Sequence, residues 1–293
     1  MSTQPTTLTA LLAIREPGSR PHAGADWHAR LDLLRAELAR FERVVVAYSG
    51  GVDSSVLLAV AHEQLGRRAL GVIGVSDSYA SRELTLALAQ ASRLGARVEI
   101  VSTGELADPS FASNPSDRCY HCKRELFSKL ALVAARERCD VVLDGTILDD
   151  LADWRPGRRA AAEGAVRSPL AELGFRKADV RAVADSLGLA SAGKPASPCL
   201  ASRIPHDTPI TRDKLSQVER GEALIRELGF VELRVRHHGE TARIEIPLGD
   251  LARLTVPATR ERAVAGLRAL GFRWVVLDLE GFRSGSLNPM QGQ

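Results

Sequence analysis

Residues 44–61 read Val-Val-Val-Ala-Tyr-Ser-Gly-Gly-Val-Asp-Ser-Ser-Val-Leu-Leu-Ala-Val-Ala. A β-branched run breaks at a glycine pair and resumes as a second apolar run, which is typical of a buried strand, a tight turn and a helix. The glycines let the backbone approach a ligand closely, and the first N–H groups of the new helix point into the turn. The pattern therefore predicts an anion-binding loop at the end of a strand.

The polar side chains of this loop extend the prediction from a simple anion to a polyphosphate. Ser49 and Ser54 add hydroxyl donors beside Gly50 and Gly51. Asp53 alone would repel phosphates, so its carboxylate is best explained as a magnesium ligand. The alternative is an ordinary strand-to-helix turn with a helix-capping serine.

The pattern Ser-Gly-Gly-Val-Asp-Ser resembles the pyrophosphatase loop of the N-type ATP pyrophosphatases, which include NAD synthetase, GMP synthetase, asparagine synthetase and the tRNA-thiolating enzymes. It is not a Walker loop, because no Gly-Lys-Ser/Thr follows the glycines. The resemblance implies that ATP is cleaved between its α- and β-phosphates and that AMP is left on a substrate oxygen.

Length, charge and cysteine content limit the classes of function. At 293 residues the chain can bury a large core and is expected to form two domains. The formal charge of +3 does not by itself indicate a nucleic-acid-binding surface. We expect a cytoplasmic protein, because no apolar run could span a membrane and the amino terminus lacks a secretion signal. Four cysteines do not suggest a disulfide scaffold, so their spacing points first to metal or redox chemistry.

Periodicity along the chain predicts an α/β fold. Residues 1–25 show little periodicity and are expected to form a flexible tail. Apolar runs at 69–75 and 98–101 alternate with a helical pattern at 81–94, which favours a parallel sheet whose ligands lie beyond the carboxyl ends of the strands. Ser76 lies at such an end, where the ATP pyrophosphatases contact adenine and ribose. We predict an ATP-binding domain at 26–205 and a smaller α/β domain at 206–293, which serves substrate binding or oligomerisation.

Three cysteines lie in two unusual segments. Cys119 and Cys122 form a Cys-x-x-Cys pair that could bind a metal or cluster, form a redox disulfide, or simply begin a helix. Cys199 lies in a segment with three prolines, which stiffen the chain and hold one side chain in place. Lys194 and Arg203 flank this thiol with positive charge. Cys139, in contrast, opens an apolar run and is read as a small core residue.

Another strand is predicted at 141–143, and acids and arginines follow it. In a fold whose ligand lies at that edge, they are expected to complete the ATP and magnesium site. Asp150 and Arg155 are the candidates.

Several segments together resemble the ATP-dependent sulfur transferases of the LarE type. The shared motifs are the pyrophosphatase loop, Arg-Cys-Tyr-His-Cys-Lys at 118–123, Gly-Thr-Ile-Leu-Asp-Asp-Leu at 145–151, Lys-Pro-Ala-Ser-Pro-Cys-Leu-Ala-Ser-Arg at 194–203 and Gly-Phe-Arg-Ser-Gly-Ser at 281–286. The resemblance implies adenylation of pyridinium-3,5-biscarboxylic acid mononucleotide and its conversion to a thiocarboxylate for a nickel-pincer cofactor. In one branch of the family the protein's own cysteine supplies the sulfur and becomes dehydroalanine, and Cys199 holds that position. In the other branch three cysteines hold a [4Fe-4S] cluster, a pattern that Cys119, Cys122 and Cys199 match and that we favour.

The carboxyl-terminal part carries the candidate substrate contacts. Alternation places Arg234 and Arg236 on one face of a predicted strand at 231–237, which could be merely a solvated face. In the family, the matching positions line a site for the substrate phosphate, to which arginine is suited. The resemblance implies these contacts for Arg203, Glu222, Arg234, Arg236 and Arg283.

The predicted chemistry joins ATP cleavage to sulfur transfer. Asp53 would hold magnesium, Lys194 would stabilise the departing pyrophosphate, and Cys199 would act in sulfur transfer. The expected partner is a small nucleotide-like carboxylate, without membrane or nucleic acid, in a homo-oligomer. Two alternatives remain: a tRNA-thiolating enzyme, against which the chain lacks a strongly basic module, and a non-catalytic ATP-binding sensor.

Overall fold

The computed structural model describes residues 27–152 and 156–283. The strands are β1 Val44–Ala47, β2 Ala69–Val75, β3 Arg97–Ser102, β4 Val141–Leu143, β5 Arg234–His238, β6 Thr241–Glu245 and β7 Trp274–Leu277. The helices are α1 Trp27–Leu38, α2 Val52–Leu65, α3 Ser81–Leu94, α4 Pro109–Ala112, α5 Arg118–Glu137, α6 Leu148–Ala152, α7 Gly157–Glu163, α8 Pro169–Glu172, α9 Lys177–Ser186, α10 Arg212–Glu227, α11 Leu251–Thr255 and α12 Pro257–Ala269. The predicted tail, Arg155 and positions 284–286 lie outside the described residues.

The first sheet confirms the predicted parallel α/β architecture. Its strand order is β3-β2-β1-β4, and every pair within it is parallel. The chain runs outward from β1 to β2 and β3, then returns to place β4 on the other side of β1. In such sheets ligands bind where the order reverses, beyond the carboxyl ends of the strands. The loops after β1 and β4 flank this point.

Helices cover both faces of the sheet. On one face α1, α2 and α9 pack in a core that includes Leu34, Leu57 and Val183. On the other face α5 and α7 pack over β1 and β2 through residues such as Phe127 and Leu130. Because both faces are buried, the strands read as continuous apolar runs.

The second sheet has the order β5-β6-β7, with β5 and β6 antiparallel and β6 and β7 parallel. The prediction that β5 begins at Val231 was wrong, because pairing with β6 begins only at Arg234. Gly229, at φ +93°, turns the chain out of α10, and Val231 remains 75% exposed. Residues 231–233 therefore connect the helix to the strand.

A separate apolar cluster joins the two sheets. It contains Phe111, before α5, Leu200 and Ile204, beside Cys199, and Leu215 and Val218 of α10. The domain boundary predicted after residue 205 thus falls within a shared packing unit. Neither 27–152 nor 156–283 contains a helix with the length and apolarity needed to cross a bilayer.

Candidate active site

The loop after β1 has the backbone geometry that an anion site requires. Gly50 adopts φ +68°, and a Cβ there would lie 2.6 Å from Cβ of Ala87 in α3. Ser54 Oγ accepts a hydrogen bond from Ser49 N at 3.2 Å and donates to Gly51 O at 3.2 Å. The loop is therefore held closed from within, and the positive end of α2 faces the carboxyl edge of the sheet.

The end of β4 packs directly against this loop. A Cβ on Gly145 would lie 2.7 Å from Ser54 N, so only glycine permits the approach. The preceding buried carboxylate, Asp144, accepts hydrogen bonds from Thr146 Oγ1 at 2.8 Å and Ser168 Oγ at 2.7 Å. Asp144 thereby fixes the second loop at the reversal point.

Asp53 lies in the first turn of α2 and meets a cation that the sequence interpretation missed. Lys177 Nζ donates to both oxygens of Asp53, at 2.8 and 2.7 Å. Asp149 accepts from Lys177 N at 2.7 Å and so orients the start of α9. A lysine at the first position of a helix opposes the helix dipole, and this local signal could have marked Lys177 as functional.

Asp150 is the acid that the sequence interpretation selected from this segment, and its surroundings differ from those of Asp149. Its Oδ2 accepts a hydrogen bond from Ile147 N at 3.1 Å, which closes the turn before α6. Its neighbour Asp149 is connected through Lys177 to Asp53. Participation of Asp150 in the ATP site stays a prediction, as does that of Arg155, which lies outside the described residues.

Lys194 connects the cysteine segment to the phosphate loop. Its Nζ donates to Gly50 O at 3.1 Å and pairs with Glu83 Oε2 of α3 at 2.6 Å. Only 16% of the lysine side chain is exposed. The ammonium group therefore lies at the loop where pyrophosphate is expected.

The end of β2 forms a second connection to the cysteines. Ser76 Oγ and Ser78 Oγ both bond Oε1 of Glu105, a buried carboxylate whose other oxygen has no hydrogen-bond partner among the described residues. Leu200 N, next to Cys199, donates to Ser78 O at 2.8 Å. Ser76 also lines a cavity of about 600 Å³ between the ends of β2 and β3 and helix α10. Its size is that of small-molecule sites.

The three cysteines of the predicted cluster lie in neighbouring segments. Cys119 is exposed in the first turn of α5, while Cys122 and Cys199 pack against the same apolar cluster. Burial raises the pKa of Cys122, and Glu105, Cys199 and Cys119 raise it further. Within 27–152 and 156–283, no three His, Cys, Asp or Glu side chains form a group that could hold a metal ion. Cys139 packs at the edge of the α5 core, which agrees with its interpretation as a core residue.

A buried asparagine, which the sequence interpretation also missed, ties the two cysteine segments together. Asn114, fully buried at φ +61°, donates through Nδ2 to Ile204 O, Pro205 O and Thr208 O at 3.3, 2.7 and 3.1 Å. Its Oδ1 accepts from Arg118 Nη1 at 2.8 Å. One side chain thus spans the segment before Cys119 and the segment after Cys199.

Arg203 and Glu222 form a buried pair beneath Cys199. Arg203 is 1% exposed and donates to Glu222 through Nε and Nη2, at 2.8 and 3.3 Å. Its Nη1 also donates to Cys199 O at 3.0 Å. Burial raises the pKa of Glu222, but Arg203 and Arg226 outweigh this effect and hold it below its usual value. Arg203 was expected to flank the thiol with positive charge, and in the structure that charge is paired with Glu222.

Arg234 and Arg236 share one face of β5, as predicted, and that face is buried against the cysteine segment. Arg234 Nη2 donates to Ala196 O and Arg236 Nη1 to Ser202 O, both at 2.9 Å. Arg236 is paired with Glu245. The solvated-face alternative is thereby excluded.

Arg234 and Arg283, two of the predicted substrate contacts, differ in their charge balance. Arg234 has no ion pair among the described residues, and burial, with Arg203 as the next cause, lowers its pKa to about 10. A buried cation without an ion pair suits an external anion, so the assignment of Arg234 as a substrate contact stays a prediction. Arg283 instead forms an exposed pair with Glu280, so its assignment as a substrate contact stays a prediction.

Comparison with known proteins identifies relatives over nearly the whole chain. A model of the NAD synthase family matches residues 27–142. An uncharacterized protein of Synechocystis sp. is 42% identical over 260 residues, which are 89% of this chain and 97% of that protein. The pyridinium-3,5-bisthiocarboxylic acid mononucleotide synthase of Lactiplantibacillus plantarum is 41% identical over 256 residues, 87% of this chain and 92% of that protein.

A more distant similarity is limited to part of the chain. The glutamine-hydrolyzing GMP synthase of Aeropyrum pernix is 30% identical over 203 residues, 62% of this chain and 39% of that protein. The similarity to the mononucleotide synthase, in contrast, runs through the phosphate loop, both cysteine segments and the arginines of β5. The chain therefore belongs to the family of pyridinium-3,5-bisthiocarboxylic acid mononucleotide synthases, the LarE-type sulfur transferases that use ATP.

Proposed function

We propose that this protein adenylates a carboxylate of pyridinium-3,5-biscarboxylic acid mononucleotide and replaces one carboxylate oxygen with sulfur, as a step towards a nickel-pincer cofactor. The observation that carries the proposal is the bond from Lys194 Nζ to Gly50 O at 3.1 Å. It joins the segment that bears Cys199 to the loop expected to bind ATP. Activation and sulfur transfer therefore share one edge of the sheet.

In the first step a substrate carboxylate oxygen attacks the α-phosphorus of ATP, and pyrophosphate leaves. The loop amides at the start of α2 and the cations Lys177 and Lys194 would stabilise charge on the pyrophosphate. Asp53 suits a magnesium ion, because its two oxygens already hold a cation, the Lys177 ammonium. Magnesium bound there would neutralise phosphate charge.

In the second step sulfur reaches the acyl carbon and AMP leaves. If Cys199 supplies the sulfur, its thiolate attacks directly. Its Cβ–S bond then breaks by elimination as the Cα proton is removed, which leaves dehydroalanine and a thiocarboxylate.

The alternative sulfur source is an iron–sulfur cluster, which we favour. The three thiols suit such a cluster in ligand type, and two of them share one packing environment, although Cys119 would have to turn inward from its exposed position. Cys119, Cys122 and Cys199 would hold the cluster, which would supply sulfide from its fourth iron. Anaerobic iron and sulfide analysis, with mass spectrometry of the protein after turnover, decides between the two sources: a four-iron content supports the cluster, and iron-free protein in which Cys199 has become dehydroalanine supports sacrifice.

The proposal also covers the division of the chain into two parts, its cellular compartment and its assembly. We assign ATP binding to residues 26–205 and substrate binding to residues 206–293, because the unpaired Arg234 lies in the second part and the phosphate loop in the first. Cytoplasmic action agrees with the absence of a disulfide among the cysteines of the described residues and with the need for ATP. A homo-oligomer agrees with the exposed Trp274 and Val276 on β7, and light scattering tests it.

Incubation with ATP, magnesium and the biscarboxylic mononucleotide, followed by mass spectrometry, tests the function. Gain of sulfur by the substrate together with AMP formation supports the proposal. Thiolation of tRNA in its place would indicate the tRNA-modifying alternative, and the absence of AMP with any carboxylate would indicate an ATP sensor.

A further inference from the structure

Helix α3 meets α10 close to the cysteine segment. Ser81 N, at the start of α3, donates to Glu219 Oε1 of α10 at 2.6 Å. Glu219, Glu222 and Arg226 follow one another at spacings of three and four residues and therefore share one face of α10. The next residue of α3, Arg82, lies beside this face.

Two guanidinium groups at this contact have unsatisfied donors. Nε of Arg82 and Nε of Arg226 are both buried, and neither has a hydrogen-bond partner among the described residues. Arg226 Nη2 binds Glu222 at 2.9 Å, but Arg203 already occupies both oxygens of that carboxylate. A buried donor without an acceptor is unfavourable unless a ligand supplies the acceptor.

The positive charge of Arg82 is also poorly neutralised by nearby carboxylates. Its nearest carboxylate, Glu83, lies at 3.9 Å and is held more closely by Lys194, at 2.6 Å. Burial lowers the pKa of Arg82, and the positive charge of Arg226 lowers it further. In addition, Arg82 stands in the first turn of α3, where the helix dipole disfavours a cation.

The whole region around residues 196–203 has more positive than negative charge. Five cations share three carboxylates there: Arg82, Lys194, Arg203, Arg226 and Arg234 against Glu83, Glu219 and Glu222. The proposed substrate carries opposite charge, because its phosphate contributes about −1.5 to −2 and each carboxylate a further −1, against one positive ring nitrogen. Arg234, which has no ion pair among the described residues, suits the phosphate. One anion remains to be placed.

We propose that Arg82 and Arg226 bind the second carboxylate of the substrate, the one that is not being activated, and thereby select a dicarboxylate over a monocarboxylate ring. This inference rests on the proposed function. The substrate carries its two carboxylates at positions 3 and 5 of a rigid pyridinium ring. It can therefore present one carboxylate to the ATP loop while the other contacts Arg82 and Arg226. The two orphaned Nε groups then gain acceptors, and the repulsion between the guanidinium groups is relieved.

Binding of two mononucleotides to the full chain, measured by isothermal titration calorimetry, tests the assignment. One carries both carboxylates on the pyridinium ring, and the other carries only one. For Arg82→Gln and Arg226→Gln we expect the dissociation constant of the dicarboxylate to rise roughly 10- to 100-fold, with little change for the monocarboxylate. Arg93→Gln, at an exposed position of the same helix, is the matched control and should change neither constant.

The possible outcomes are distinct. If the two substitutions raise both dissociation constants equally, the arginine pair binds the phosphate, and the carboxylate assignment is wrong. If they raise neither dissociation constant, the pair does not contact the substrate. If the wild-type chain binds neither compound, the proposed function fails and the inference fails with it. Unfolding temperatures of the variants, measured without ligand, check that each one is folded; we expect them to equal or exceed the wild-type value because a repulsive contact is removed.

Discussion

Lys177 Nζ donates hydrogen bonds to both carboxylate oxygens of Asp53, at 2.8 and 2.7 Å, although 124 residues separate the two in sequence. The pair lies at the reversal point of the sheet, beside the phosphate loop. A lysine in this position can neutralise the negative charge of Asp53 before ATP binds. After ATP binds, it can neutralise charge on the phosphates.

The first prediction concerns this pair. Replacing Lys177 by Met should lower AMP formation by about 100-fold or more, because a cation is lost at the developing pyrophosphate charge. Asp53→Ala should abolish AMP formation. The measurement is release of AMP and pyrophosphate with the biscarboxylic mononucleotide. Lys129→Met removes a surface lysine that pairs with Glu125 at 3.7 Å, and it should leave the rate unchanged. A wild-type rate in Lys177→Met would show that this ammonium does not act on the phosphates.

The second prediction separates the two chemical steps. Cys199→Ala should still form AMP but yield no thiocarboxylate, since the thiol itself takes no part in the proposed adenylation step. Mass spectrometry of the substrate and AMP quantification read the two steps independently. Cys139→Ala, at the edge of the α5 core, is the matched control and should retain both activities. Thiocarboxylate formed by Cys199→Ala would overturn the role of this thiol.

The third prediction concerns Asn114, which positions the cysteine segments. Asn114→Ala should lower the free energy of unfolding by about 2–4 kcal/mol, because it loses buried hydrogen bonds and replaces Asn, which tolerates a positive φ, with a residue that does not. Asn114→Gly loses the same bonds without the backbone strain and should be about 1–2 kcal/mol less destabilised than Asn114→Ala. Urea denaturation measures both. Equal stability of the two variants would mean that the left-handed conformation of residue 114 has no energetic cost. Ser92→Ala, on an exposed helix face, is the control.

The fourth prediction links stability to Arg234. At neutral pH its charge is less favourable in the folded chain than in the unfolded one, since burial lowers the pKa of Arg234 to about 10, below its ordinary value. Arg234→Leu should therefore raise the free energy of unfolding by about 1–3 kcal/mol while binding of the mononucleotide is lost. Urea denaturation and calorimetric titration measure the two effects. Arg260→Leu, on α12, should change neither, and a destabilised Arg234→Leu would contradict the cost assigned to this cation.

The fifth prediction concerns acid stability. Burial lowers the pKa of His237, with Lys214 as a second cause, so the folded chain favours the neutral ring. The resulting contribution to stability is present above the unfolded value of 6.5 and is lost as the pH falls below it. In His237→Gln the decline in unfolding free energy between about pH 6.5 and 5 should be shallower, by at most about 1.4 kcal/mol per pH unit. Urea titrations at several pH values measure the slope. His28→Gln, in the exposed first turn of α1, should keep the wild-type slope.

Local patterns predicted the elements that bear the chemistry. The helix at 81–94 and the strands around the phosphate loop lie where periodicity placed them, because an apolar run between turn signals allows few arrangements. Alternation in β5 correctly placed Arg234 and Arg236 on one face. It could not show that this face is buried, since burial depends on the segment that packs over it.

Several site residues had no pattern of this kind. Asn114, Glu105 and Arg82 each look like ordinary polar residues in the sequence, and each acquires its role from a partner far along the chain. Arg203 was expected to place a positive charge beside the Cys199 thiol, yet Glu222 neutralises the charge of Arg203.

The sequence by itself determined that a glycine-bent loop follows a buried strand, that two segments carry the three cysteines of the site, and that these motifs belong to a sulfur-transferring ATP enzyme. The tertiary structure alone decided which charges pair: Lys177 with Asp53 and Arg203 with Glu222, whereas Arg234 has no ion pair among the described residues. The reason is physical. Backbone conformation follows from neighbouring residues, whereas the energy of a buried charge depends on groups that the strand order brings within a few ångströms.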